Sequence, residues 1–120
     1  MNILGIGCDI CEVDRVNKLS SQKYLNKFLT QKEIDDINFN SKNYKEHIAG
    51  RFASKEAIVK ALGTGFHNIS ATDIEVTNDE LGKPIAIFLN DENKDKKIML
   101  SISHTKKNAM AYAIVYSEDN

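Results

Sequence analysis

From about Tyr44 to Leu62 the chain keeps helical spacing, and at Gly63-Thr64-Gly65 it drops to a period of two that persists almost to the C-terminus. The switch divides the sequence into a mainly helical first half and a stranded second half. A glycine just past the last helical position supplies a left-handed C-terminal cap. Gly50 falls inside the helix, where it costs about 1 kcal/mol relative to Ala, so close packing beside Ala49, Ala53 and Ala57 is the expected compensation. Beyond the glycines come Ile74/Val76, Ile85/Ile87/Leu89, Ile98/Leu100/Ile102 and Met110/Tyr112/Ile114/Tyr116, four alternating segments. Their connectors, Asn78 to Pro84, Asn90 to Lys97 and His104 to Asn108, are short and polar, as hairpins require.

The N-terminus also alternates. Leu4, Ile6, Cys8 and Ile10 share one face, and Ile3, Gly5, Gly7 and Asp9 the other. This pattern predicts a half-buried strand whose second face is bare, and glycine in a strand marks close approach by another backbone or a ligand. Asp14 is a candidate N-cap for an amphipathic stretch carrying Val16, Leu19 and Phe28, with a break at Ser20-Ser21. Thr30-Gln31-Lys32-Glu33 has capping-box spacing and starts a further short helix with Ile34 and Ile37. The expected architecture is α+β within one domain, residues 1–120: an N-terminal strand, short helices and one long helix, then an antiparallel β meander.

A chain of 120 residues buries roughly two thirds of its unfolded surface, enough for one modest core. A large substrate pocket would therefore have to borrow walls from a neighbouring subunit. The longest apolar run, Ala109 to Tyr116, is far short of the ~20 residues that span a bilayer. Met1 to Ile10 lacks a basic residue and is interrupted by Asp9, a poor signal peptide. With two cysteines in an ordinary composition, a reducing cytoplasmic setting and no membrane partner are expected. A net charge of −1 argues against a nucleic-acid partner. Locally, Arg15, Lys18, Lys23, Lys27 and Lys32 follow one another with no acid between Arg15 and Lys32, which suits an acidic partner or a solvated helix face.

The chemistry concentrates on the long helix. On a helical wheel Ile48, Phe52, Ile58, Val59 and Leu62 form an apolar stripe with Lys55 in its middle and Arg51 beside it. Cations on a core-facing stripe need an internal salt bridge, a stem that snorkels to a water-filled cleft, or an anionic ligand, most simply a phosphate. Glu56 stands at the edge of the stripe with Lys60 one turn beyond, the spacing of an ordinary helix ion pair. Asp9 closes the glycine-bearing strand. Asp9 and Glu56 with Arg51, Lys55 and Lys60 fit a site for Mg²⁺ and a pyrophosphate, since Mg²⁺ takes one or two carboxylates and completes its shell with water and phosphate oxygens. His104, in Ser101-Ile102-Ser103-His104-Thr105, lies at a strand end, and the flanking hydroxyls, Thr105 included, are natural phosphate contacts. Cys8 and Cys11 form a C-x-x-C, but three residues apart on a strand their thiols diverge, and no second metal-ligand pair follows.

Together, Gly5-Ile6-Gly7-Cys8-Asp9-Ile10, Gly50-Arg51-Phe52-Ala53-Ser54-Lys55-Glu56-Ala57 with Lys60 and Gly63-Thr64-Gly65, Gly82-Lys83-Pro84, and Ser101 to Thr105 resemble the short, single-domain 4′-phosphopantetheinyl transferases, the holo-[acyl-carrier-protein] synthase family, over residues 3 to about 116. The resemblance implies transfer of phosphopantetheine from coenzyme A to a serine of an apo acyl carrier protein, releasing adenosine 3′,5′-bisphosphate and activating the carrier for fatty acid biosynthesis. It implies Mg²⁺ on Asp9 and Glu56, pyrophosphate oxygens on Lys60, CoA phosphates on Arg51 and His104, and carrier docking through Arg15 and Lys18. Glu56 and a metal-bound water are both open as acceptors of the serine proton. It further implies a homotrimer with active sites between subunits. A different Mg²⁺-dependent pyrophosphate-cleaving enzyme and a non-enzymatic module for acidic proteins are the competing readings.

Overall fold

The computed structural model describes residues 1–19 and 21–118. Strand β1 (Asn2–Glu12) leads into three short helices, α1 (Arg15–Leu19), α2 (Gln22–Phe28) and α3 (Gln31–Asp35), and then the long α4 (Tyr44–Leu62). A 3-10 turn at Ala71–Asp73 precedes β2 (Ile74–Asn78), β3 (Pro84–Phe88), β4 (Lys97–His104) and β5 (Asn108–Ser117). Helix α4 has the span its periodicity predicts and ends on Gly63 at φ 80°, whose N–H reaches the Val59 and Lys60 carbonyls. Between α1 and α2 the chain breaks as expected, with Ser21 extended as the N-cap; Ser20 lies outside the described residues. Thr30 and Glu33 close the capping box that opens α3.

The α+β expectation holds, with one change to the meander. The four C-terminal strands are antiparallel but belong to two sheets: β1, β5 and β4 form one in that order, and β2 pairs only with β3. The N-terminal strand thus takes the far edge of β5, from Asn2 opposite Ser117 to Glu12 opposite Asn108.

Packing of α4 on the three-stranded sheet explains which face of β1 is inside. Ala109, Ala111, Ala113 and Val115 of β5 are buried toward the helix, and Gly5 and Gly7 continue this small-residue floor onto β1. A Cβ on Gly7 would stand 2.1 Å from the Ala57 carbonyl oxygen, and one on Gly5 1.9 Å from that of Ala61. The close approach foreseen from the glycines is therefore to a helix backbone. It reverses the expected burial of the strand: the glycine face is inside, while Ile6 and Ile10 on the apolar face are 69% and 63% exposed. They form an outer apolar surface with Met99 and Tyr112. Helix α4 is buried almost all round, because helices and the β2–β3 hairpin cover the side away from the sheet. Its charged side chains consequently emerge at few places.

Candidate active site

The first of those places is where α4 crosses the end of β1. Lys60, exposed on the last turn of α4, places Nζ 3.1 Å from Asp9 Oδ1 and 3.1 Å from the Cys8 carbonyl oxygen. The ion pair foreseen from spacing, Glu56 with Lys60, gives way to one between strand and helix. Asp9 is aimed at α4 because it shares the inward face of Gly5 and Gly7. It lines a cleft of about 70 Å³ with Cys11, Arg15, Phe28, Phe52, Lys55, Glu56 and Phe66. Asp9, Glu56 and Arg15, read separately from the sequence, thus meet in one place. Burial first, and then the charge of Asp9, raises the proton affinity of Glu56, against the opposing pull of Lys60 and Arg15. Hydrogen bonding to Asp9 and the charge of that carboxylate hold the Lys60 ammonium above the usual lysine range.

The structure corrects the expectation for Lys55. Its Nζ lies 2.6 Å from Glu33 Oε1, 2.7 Å from the Phe28 carbonyl oxygen and 2.9 Å from that of Ala71, so each of its three donors has an acceptor. Both side chains of the pair are shut off from solvent, at 1% and 0% exposure. No donor is left for a CoA phosphate, and Lys55 leaves the ligand-binding set. Of the alternatives its helical position allowed, the internal salt bridge is realised.

Arg51 and His104 meet in a second cleft of about 420 Å³, lined also by His47, Asn78, Gly82 and Pro84. This cleft shares no lining residue with the first. The Arg51 guanidinium donates to Asn78 Oδ1 and is largely buried, which lowers its proton affinity while Glu33 and Asp36 pull the other way. His104 ends β4 on its exposed side. Thr105 is committed in part to the β4–β5 turn, where Oγ1 accepts the Lys107 and Asn108 amides at 3.2 and 3.1 Å. Arg15 and Lys18 lie exposed on α1. Cys8 is exposed and Cys11 buried, so the C-x-x-C thiols do diverge.

Sequence reading missed Glu33 as a partner, Asn78 as the acceptor for Arg51, and the aromatic wall of Phe28, Phe52 and Phe66. For Glu33 a signal existed: the capping box put a carboxylate at the start of a short helix. For Asn78 the only signal was its place before the hairpin turn that holds Gly82-Lys83-Pro84.

Asp9 and Glu56 suit a hard divalent cation. Both offer oxygen, their charges repel one another across the cleft, and among the described residues the Glu56 carboxylate has no hydrogen-bond donor. Among those residues no group of three or more His, Cys, Asp or Glu is placed to hold a metal ion, so such an ion would take two protein ligands and fill its shell from substrate and water.

Comparison with known proteins identifies the family. Residues 5–115 match the model of the 4′-phosphopantetheinyl transferase superfamily. A holo-[acyl-carrier-protein] synthase of Clostridium tetani is 50% identical, over 97% of this chain and 98% of its own. The crystal structure of a Bacillus anthracis holo-(acyl-carrier-protein) synthase in complex with CoA (3′,5′-ADP) superposes with a TM-score of 0.86 at 40% identity, covering 98% of this chain and 100% of that one. That of the Helicobacter pylori enzyme in complex with coenzyme A gives 0.79 at 28% identity, covering 92% and 98%.

Proposed function

The chain belongs to the 4′-phosphopantetheinyl transferase superfamily, and from that premise we propose how its residues divide the work of a holo-[acyl-carrier-protein] synthase. The reaction moves 4′-phosphopantetheine from coenzyme A to a serine of apo acyl carrier protein. The serine oxygen bonds to the β-phosphorus, the bond from that phosphorus to the bridging oxygen breaks, and adenosine 3′,5′-bisphosphate leaves with that oxygen. Phosphoryl transfer asks a protein chiefly to position the groups and neutralise phosphate oxygens. Asp9 and Glu56 would hold Mg²⁺, which when bound draws charge from the pyrophosphate. Lys60, exposed and already beside Asp9, supplies a cation to the same oxygens. Glu56, lining the cleft with no hydrogen-bond donor among the described residues, is the acceptor that the chain itself offers for the serine proton. Arg15 and Lys18 steer the acidic carrier toward the cleft.

The observation that carries the reading is the meeting of Asp9, Glu56 and Arg15 around one small cleft, with Lys60 bonded to Asp9. At about 70 Å³ this cleft takes an ion and a phosphate, not a whole CoA, since drug-sized ligands fill roughly 300–1,000 Å³. The nucleotide end suits the separate Arg51–His104 cleft. Two half-sites with no shared wall, together with the outer apolar surface of β1, β5 and β4, support a homotrimer in which one subunit's carboxylates face another's Arg51 and His104. Among the described residues no helix is long and apolar enough to cross a membrane.

The test is intact-mass spectrometry of an apo carrier after incubation with CoA and Mg²⁺. Wild type adds one phosphopantetheine, and Asp9→Ala and Glu56→Ala add none while keeping the fold. Near wild-type transfer by both variants would overturn the site, and release of adenosine 3′,5′-bisphosphate without carrier modification would make water the acceptor.

A further inference from the structure

Lys55 neighbours Glu56 in sequence, yet its ammonium is spent on other elements. Besides Glu33 it holds the Phe28 carbonyl at the last residue of α2 and the Ala71 carbonyl in the 3-10 turn. Glu33 extends the tie: Oε1 also accepts the Thr30 amide at 2.7 Å, and Oε2 accepts the Val76 amide of β2 at 2.8 Å. The Thr30 hydroxyl donates to Glu75 at 2.8 Å. Helices α2 and α3, the 3-10 turn and β2 are thereby fastened to α4 through one buried ion pair.

The bond to Phe28 matters most for the reaction. The last carbonyls of a helix have no partner within it, and here one of them takes a lysine from the helix that carries Glu56. The Phe28 ring packs on Phe52 of α4, with centroids 5.1 Å apart, and forms a wall of the Asp9–Glu56 cleft. Upstream of Phe28 lie Lys27 and Lys23 on α2, and Lys18 and Arg15 on α1. Apolar side chains of similar volume would fill the space with equal or greater stability, but they cannot make three directed bonds that fix α2 in a single position on α4.

We infer that Lys55 is a positioning residue, mooring the carrier-facing helices to the helix that bears Glu56 so that a docked carrier serine arrives at the cleft. The inference rests on the reading that the carrier docks through Arg15 and Lys18 on α1, and it extends that surface onto α2, whose Lys23 and Lys27 continue the same acid-free basic run. It assigns Lys55 a role in carrier recognition and none in CoA binding, because, although Lys55 lines the Asp9–Glu56 cleft, all three of its ammonium donors are committed to Phe28, Glu33 and Ala71.

The experiment is steady-state kinetics on the double variant Glu33→Gln/Lys55→Met, which removes both charges and the bond to Phe28 without stranding a buried ion. The KM for apo carrier should rise about tenfold through misplacement of the docked partner, while the KM for CoA stays within about twofold. A purely structural role would lower Tm and leave both constants in the folded protein unchanged, and that result overturns the inference. A parallel rise in the KM for CoA overturns it too. If the pair is too unstable to assay, Glu33→Leu/Lys55→Leu carries the same expectations. Arg15→Glu/Lys18→Glu, in the otherwise native chain, tests the docking reading separately: an unchanged KM for carrier there would remove the docking surface, and the inference with it.

Discussion

Helix α4 presents two lysines little more than one turn apart, each paired with a carboxylate from another element, and the pairs have opposite characters. Lys55 and Glu33 are 2.6 Å apart at 1% and 0% side-chain exposure, with every lysine donor satisfied. Lys60 and Asp9 are 3.1 Å apart at 55% and 21% exposure, beside a Glu56 that no described donor reaches. The first pair has no capacity left for a ligand and holds neighbouring elements in place on α4. The second keeps open valence toward solvent, and a third charge beside it creates a site. Residue type and distance alone would not separate them; the count of acceptors around each ammonium does.

Exchanging the two lysines for methionine is the strongest way to break the comparison. Lys60→Met should lower transfer about a hundredfold, the scale of losing one charge stabiliser at a phosphoryl centre, and leave Tm near wild type, since the lysine it removes is more than half exposed. Lys55→Met should strand a buried carboxylate and cost about 3–5 kcal/mol, read by urea denaturation. Equal losses of stability from both would show that exposure does not separate the pairs.

Gly7→Ala asks whether Asp9 depends on the small-residue floor beneath it. The added Cβ would meet the Ala57 carbonyl oxygen at 2.1 Å and the Ala61 amide nitrogen at 2.8 Å, both backbone atoms of α4. Strand and helix must part, at a cost of at least about 2–3 kcal/mol, and Asp9 moves away from Lys60 and Glu56. Transfer should fall along with Tm, whereas Gly82→Ala, strained by a φ of 88° but with no atom within 4 Å of its Cβ, should lower Tm while leaving the Asp9 cleft intact.

Much of this was legible in the sequence. Helix α4, its glycine cap and the capping box at Thr30 are local devices, determined by residues within a few positions, and each lies where the pattern puts it. Asp9 and Glu56 stood out as carboxylates at the end of a glycine-bearing strand and at the edge of an apolar stripe, and the fold brings them to one cleft. What the sequence did not carry was partner choice across the fold. Periodicity placed Lys55 correctly in the interior but could not say that Glu33, more than twenty positions away, would fill the space beside it. Alternation found the two faces of β1 but assigned the apolar one inward, because it could not foresee a helix needing glycine beneath it. Nor could it separate the β2–β3 hairpin from the larger sheet, since strand partners are set by tertiary packing.

The inverted β1 leads to the next test. If Ile6 and Ile10 are covered by another subunit, Ile6→Glu/Ile10→Glu should convert the proposed trimer to monomers in light scattering, retain the circular dichroism of the fold, and lose activity by separating the two half-sites. The same double change on a chain that is monomeric from the start would alter neither mass nor rate, and would assign the apolar surface another role.

The smallest effect contrasts two glutamates. Burial and the charge of Asp9 raise the proton affinity of Glu56 in the folded, metal-free protein. A group whose folded pKa is raised favours folding below its unfolded pKa, and that contribution is lost as pH rises through the folded pKa. At neutral pH the ionised Glu56 is therefore a slight liability to the metal-free fold. Glu56→Gln should stabilise that form at pH 7 by roughly half a kcal/mol or less, because the partly exposed group is screened by solvent. The gain should vanish below the ordinary carboxylate range, where the wild-type side chain is protonated in both states. Glu33→Gln should do the reverse, lowering Tm at pH 7, because its charge faces Lys55 at 2.6 Å. Thermal unfolding of both variants with chelator present, from about pH 3 to pH 8, checks the signs. A Glu56→Gln protein less stable than wild type at pH 7 would mean that this carboxylate, like Glu33, is held by the fold and not left open for a ligand.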